Sequence, residues 1–196
     1  LACMALVMLG PEARKASVID LLKMTMNPNP ADPRRMAQRV ACMALFAPYP
    51  GNRGYQSILA DSLEGVDREL LYPAIRSVLE NDDGAARGSL QRTYGKLTDR
   101  DLAALMPAIL KAIDRLAPSD EMFGDCIRLA GLDLVSRLHL REGMALCVSV
   151  IEPDRWGQGN RLPKCLEYLV RYGIHAKEVL PQLQAMRREM VEGDRK

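Results

Sequence analysis

The pentapeptide Ala2-Cys3-Met4-Ala5-Leu6 returns unchanged as Ala41-Cys42-Met43-Ala44-Leu45, 39 residues later. A single closed core gives no reason for such an echo. A stack of similar helical units does, and periods of roughly 20–50 residues mark repeat arrays. In an array each unit touches only its neighbours, so the chain presents a long shaped surface in place of one enclosed pocket. A chain of 196 residues has room for about five helix pairs of this period.

The apolar pattern is helical almost throughout. A first helix is expected over 1–9, ending at Gly10-Pro11, where glycine accepts a left-handed cap and proline opens the next helix. Residues 12–26 follow, with Val18, Ile19, Leu22 and Met26 on one face. The proline-studded run 27–33 is a turn. Residues 34–46 carry Met36, Val40, Met43 and Ala44 at helical spacing, and a short inserted helix is expected near 55–63. Residues 67–81 and 85–94 form a further pair, divided by Asp82-Asp83-Gly84. Thr98 opens the most regular helix as an N-cap, with Asp99 and Asp101 in the first turn, where the dipole favours anions. Its stripe is Leu102, Leu105, Met106, Ile109, Leu110, Ile113 and Leu116. Later helices are expected over 120–138, 141–152, 160–171 and 175–191. No alternating apolar–polar run is long enough for a strand, so the expected class is all-α.

The members of the pairs differ in kind. First helices carry a proline after apolar residues, at Pro73, Pro107 and Pro181, spaced 34 and then 74 residues apart. A missing member falls near Gly143-Met144. Proline in a helix interior costs about 3 kcal/mol, so its recurrence at one register points to a bend the architecture uses. Second helices are rich in small residues and close at glycine, as in Leu9-Gly10, Tyr94-Gly95 and Tyr172-Gly173.

The stretch from Leu70-Leu71-Tyr72-Pro73-Ala74-Ile75 through Asp82-Asp83-Gly84-Ala85-Ala86-Arg87 to Tyr94-Gly95-Lys96-Leu97 resembles a HEAT repeat. The resemblance is partial over 12–46, where Asp32 and Arg35 or Arg39 take the Asp and Arg roles, and over 99–138, where Asp125 and Arg128 take them. From 141 to 190 the spacing survives with few signature residues. The resemblance implies a HEAT-like α-α superhelix of about five helix pairs forming one array. Its units lie near 1–10 (partial), 11–47, 48–97 with an insertion, 98–140, 141–173 and 174–196 (partial). Because it begins inside a helix, the chain reads as a segment of a longer protein. The resemblance also implies that second helices line a concave side.

Composition narrows the chemistry. There are 27 basic and 25 acidic side chains, which gives no strong preference for a polyanion. Five cysteines, with no C-x-x-C, sit among apolar residues as free buried thiols and fit a reducing compartment. With only His139 and His175, and no cysteine at ligand spacing from either, no metal site is expected. No Ser-His-Asp or Cys-His order suggests a nucleophilic triad, and no cofactor-binding loop follows a strand. The acidic pairs Asp82/Asp83, Asp99/Asp101 and Asp120/Glu121 stand at helix starts and turns, where capping explains them. No apolar run reaches the roughly 18 residues of a membrane span. Trp156, in the loop 152–159, is expected to cover the following helix.

What remains is charge. Residues 34–46 and 85–97 each hold three basic side chains and no acid, whereas 67–83 carries a net charge of −3. The candidate partner-binding residues are therefore Arg35, Arg39, Arg87, Gln91 and Arg92, on second helices that would line one groove. The leading expectation is a non-catalytic scaffold that binds a protein partner or an adjoining domain. One alternative is a nucleic-acid-binding solenoid resembling the HEAT-like alkylation-repair DNA glycosylases. Another is a structural accessory domain packed against a linked enzyme.

Overall fold

The computed structural model describes residues 11–27, 30–32, 35–46, 57–59, 62–117 and 125–193. Among them are nine α-helices and no strand. They are α1 (Pro11–Met26), α2 (Met36–Leu45), α3 (Arg68–Leu79), α4 (Gly84–Gly88), α5 (Asp99–Asp114), α6 (Cys126–Arg137), α7 (Glu142–Ile151), α8 (Gln158–Arg171) and α9 (Leu180–Gly193). Two 3-10 segments complete the set, Ser89–Lys96 after α4 and Gly173–Val179 before α9.

Local chemistry places the helix starts. Thr98 Oγ1 accepts from the Asp101 amide while Asp101 accepts from the Thr98 amide, a reciprocal box that opens α5. Asp67 accepts from the Glu69 amide at the start of α3. Asp83 accepts from the amides of Ala85 and Ala86 at the start of α4.

The helices pack in two rows. In the odd row α1 touches α3, α3 touches α5 and α5 touches α7. In the even row α2 touches α4, the 3-10 extension of α4 lies on α6, and α6 lies on α8. Between the rows runs one continuous aliphatic core, from Leu21, Leu22, Cys42 and Leu45 through Leu71, Ile75, Leu90, Leu105, Ile109 and Ile113 to Leu132, Val135, Val150 and Leu169. Small residues set the spacing. A Cβ on Gly131 would stand 2.5 Å from Ile113 Cγ1, so α6 approaches α5 more closely there than alanine would permit.

Several expectations need correction. Ile19 is half exposed, and α1 buries Leu21, Leu22 and Thr25, with Val18 and Met26 only partly covered. Thr25 tolerates burial because its hydroxyl donates to Leu22 O. No helix forms over the described residues of 55–63. Instead the amides of Ile58 and Leu59 donate to Ala44 O and Leu45 O, satisfying carbonyls at the end of α2. Residues 89–96 tighten from α-helix into 3-10 turns. Pro73 and Pro107 are internal to α3 and α5, but Pro181 lies in the first turn of α9, where its missing amide costs nothing, and Pro163 lies inside the even-row helix α8. The proline is thus no signature of one row. In the stripe of α5, Leu105, Ile109 and Ile113 are buried, while Leu116 falls past the helix end and is exposed. The expected helix 1–9 and the expected start at Asp120 lie outside the described residues.

Candidate interaction surface

The basic residues of the even row separate into two kinds. Arg35, which precedes α2 in a left-handed conformation (φ 50°), and Arg92 are exposed, and Gln91 is half-buried. Arg39 is tied down, its Nε donating to Asp83 Oδ2 at 2.5 Å. Arg87 is fully buried, with Nη2 donating to Ala112 O at 2.6 Å and Arg115 O at 3.2 Å. Arg87 is therefore withdrawn from the candidate partner-binding set. The end of α5 leaves carbonyls without intrahelical donors, and a guanidinium can satisfy two of them at once.

The same device recurs further along the chain. Arg128, also buried, donates from Nε to Ile113 O at 2.9 Å and grips Glu152 with both terminal nitrogens at 3.1 and 3.0 Å. Arg161 makes five bonds: to Ile151 O, Glu152 O, Arg155 O and Trp156 O, and to Asp125 Oδ2. Arg155 bridges Asp125 and Glu152. Asp125 and Glu152 both adopt positive φ, a conformation costly without glycine, and these arginines hold them there. Burial pushes the Glu152 carboxyl upward, but hydrogen bonds and charge from Arg128 and Arg155 outweigh it and leave the group below its ordinary value. Arg161 was missed as a structural residue. Its signal was a lone basic side chain at the buried register of Cys165 and Leu169.

The acidic pairs have similar employment. Asp83 caps α4 and holds Arg39; Asp82 pairs with Arg115. Asp101 accepts from Thr98, from Arg68 Nε at 2.9 Å and from Tyr72 Oη at 2.8 Å. Asp120 and Glu121 lie outside the described residues. Burial raises the Cys147 and Cys165 thiols to about 12, which keeps them protonated and non-nucleophilic. Among the described residues no group of three or more His, Cys, Asp or Glu could hold a metal, and no helix is long and apolar enough to cross a membrane.

Trp156 reverses its expectation. It is 71% exposed and covers no helix; only its carbonyl is engaged, by Arg161. A cavity of about 670 Å³ lies between α1, the start of α3 and the segment joining α2 to α3. Its described lining is mainly apolar, including Val18, Leu22, Leu59 and Leu70, with Lys15, Glu64 and Asp67 as its charged members. Comparison with family models, curated proteins and solved structures returned no match.

Proposed function

We propose that this chain is a HEAT-like α-solenoid segment that serves as a non-catalytic scaffold, binding a protein partner or adjoining domain along its even row. The observation that carries the reading is the pair of helix rows joined by side chains crossing between successive units, Arg39 to Asp83 and Arg161 to Asp125. A chain built this way spends its buried charges on joining units, and its unspent side chains lie along a surface. Arg35, Arg92 and the half-buried Gln91 are the members of the candidate set left to meet a partner. Charges on such a surface steer an acidic partner and raise its association rate.

The alternative of nucleic-acid binding gains little support. In the latter half of the even row, Asp133 pairs with Arg137 and Arg171, and Glu167 with Lys164, which breaks the basic track a phosphate backbone needs. The test compares affinity capture by the wild-type chain with capture by an Arg35→Glu/Arg92→Glu chain. Proteins held by the first and lost by the second, with equal melting temperatures, support the reading. Identical capture by both chains, or salt-sensitive binding of duplex DNA by the wild type, overturns it.

A further inference from the structure

Resting on the reading of Arg35 and Arg92 as binding residues, we propose that the partner they meet presents an amphipathic α-helix with acidic flanks, whose apolar side lies along the outward face of α2. The inward side of α2 is fully used, with Gln38, Ala41, Cys42, Ala44 and Leu45 buried. The opposite side carries Met36, 43% exposed, and the half-buried Val40 and Met43. These three stand at i, i+4 and i+7 and so share one helix face. Arg39, beside that stripe, is drawn sideways to Asp83.

The cations bordering the stripe are unspent. Arg35, Arg92 and Lys96 are exposed, and among the described residues they form no ion pair. Arg35 directly precedes α2, while Arg92 and Lys96 lie on the 3-10 segment that packs beside α2. Neither α2 nor that segment contains an acidic residue, so nothing within them answers the three charges. The complement of this surface is an apolar strip with carboxylates next to it.

What the surface can offer decides the form of the occupant. An added strand needs an open sheet edge, and the described residues contain no strand. A proline-rich segment needs a groove lined by aromatic rings, and the rings here, Phe46 just past α2 and Tyr94 in the 3-10 segment, are both buried. A helix needs only an apolar stripe to lie on. From Met36 to Met43 the stripe runs about 10 Å, two turns of a facing helix with its own apolar residues at i, i+4 and i+7. Two of its three members are methionines, whose unbranched side chains adapt to the shape set against them.

The experiment selects peptides from a displayed library of helices, randomised along one face and both flanks, against the whole chain, and then measures the enriched peptides by fluorescence anisotropy. Enriched peptides are expected to carry apolar residues at i, i+4 and i+7 with Asp or Glu beside them. Met36→Ser/Met43→Ser should weaken their binding about tenfold or more at any salt concentration, since it removes apolar contact without adding charge. Arg35→Glu/Arg92→Glu should weaken it as strongly in dilute buffer and less as salt is added. Met36→Ser alone should weaken binding by a smaller factor and melt as wild type, because Met36 is exposed at the first position of α2; it separates lost docking from lost folding. Loss of binding with the arginine variant but none with the methionine variant overturns docking of a helix and leaves an acidic partner standing. Peptides indifferent to the arginine variant overturn both readings. A selection that enriches no apolar–acidic pattern overturns the helical partner.

Discussion

Arg39 Nε lies 2.5 Å from Asp83 Oδ2 across 44 residues of sequence, and that carboxylate also caps α4 through the amides of Ala85 and Ala86. One side chain therefore starts a helix and joins two units. Asp83→Ala should cost about 1–3 kcal/mol, the loss of a cap together with a charge-assisted bond. Arg39→Ala, which leaves the cap in place, should cost less, and its effect should nearly vanish in the Asp83→Ala background. A double-mutant cycle in urea measures this; fully additive effects would show that the two residues do not communicate.

Removing Arg161 should be far more damaging than removing any exposed arginine. Arg161→Met leaves Asp125 short of a buried partner and strips donors from four carbonyls. The expected loss is about 3–5 kcal/mol, against less than about 0.5 kcal/mol for Arg92→Ala. At this chain length each kcal/mol moves the melting temperature by about 2–4 °C, so thermal scans separate the two readily.

Acid sensitivity should concentrate at Asp101. Burial alone would raise its carboxyl, yet bonds from Arg68, the Thr98 amide, Tyr72 and the Thr98 hydroxyl hold it well below the ordinary value of 3.8. A carboxyl depressed in the folded state stabilises the fold above its unfolded value and loses that contribution as pH falls below it. Asp101→Asn should thus be destabilising at pH 7, and its deficit relative to wild type should shrink as pH drops below about 4. Urea midpoints at neutral and acid pH read the effect, and an unchanged deficit at both would contradict it.

Gly143→Ala should clash with two identifiable side chains. The added Cβ would lie 2.1 Å from Tyr172 Oη and 2.9 Å from Val135 Cγ2. The cost should be about 1–3 kcal/mol. Tyr172→Phe alone loses the bond to Leu140 O, about 1 kcal/mol, but it removes the nearest obstacle. The double variant should therefore be more stable than the sum of the two single effects predicts.

Trp156 supplies a direct optical check, being the chain's one tryptophan. Native emission should lie at the solvent-exposed, red end and be quenched freely by iodide. Trp156→Ala should alter stability by less than about 0.5 kcal/mol. A blue-shifted, protected emission would mean the ring is covered after all.

Much of the architecture was legible because helix signals are local. Thr98 with Asp101, the Asp83 turn and the spacing of Leu105, Ile109 and Ile113 each act within a few residues, and each behaves as its sequence neighbourhood implies. The candidate surface was less legible because exposure is decided by neighbours distant in sequence. Arg87 and Arg92 are alike in a charge tally, yet the end of α5 claims one and leaves the other free. Ile19 and Trp156 fail for the same reason: apolar character says what a side chain prefers, and only the approach of another element determines whether that preference is met. The segment near residue 58 was misread because its task is to donate amides to α2, which needs no periodic pattern.

Arg87, Arg128 and Arg161 all send donors to main-chain oxygens, at Ala112, Ile113 and Ile151 respectively. Every amino acid carries that acceptor. The residues at those three positions can consequently be exchanged, provided they pack, without removing the bond, whereas the arginine has no substitute of equal reach and geometry. The main-chain half of each joint is written in the sequence once, on the donor side alone, while Arg128 and Arg161 reinforce it with the carboxylates of Glu152 and Asp125.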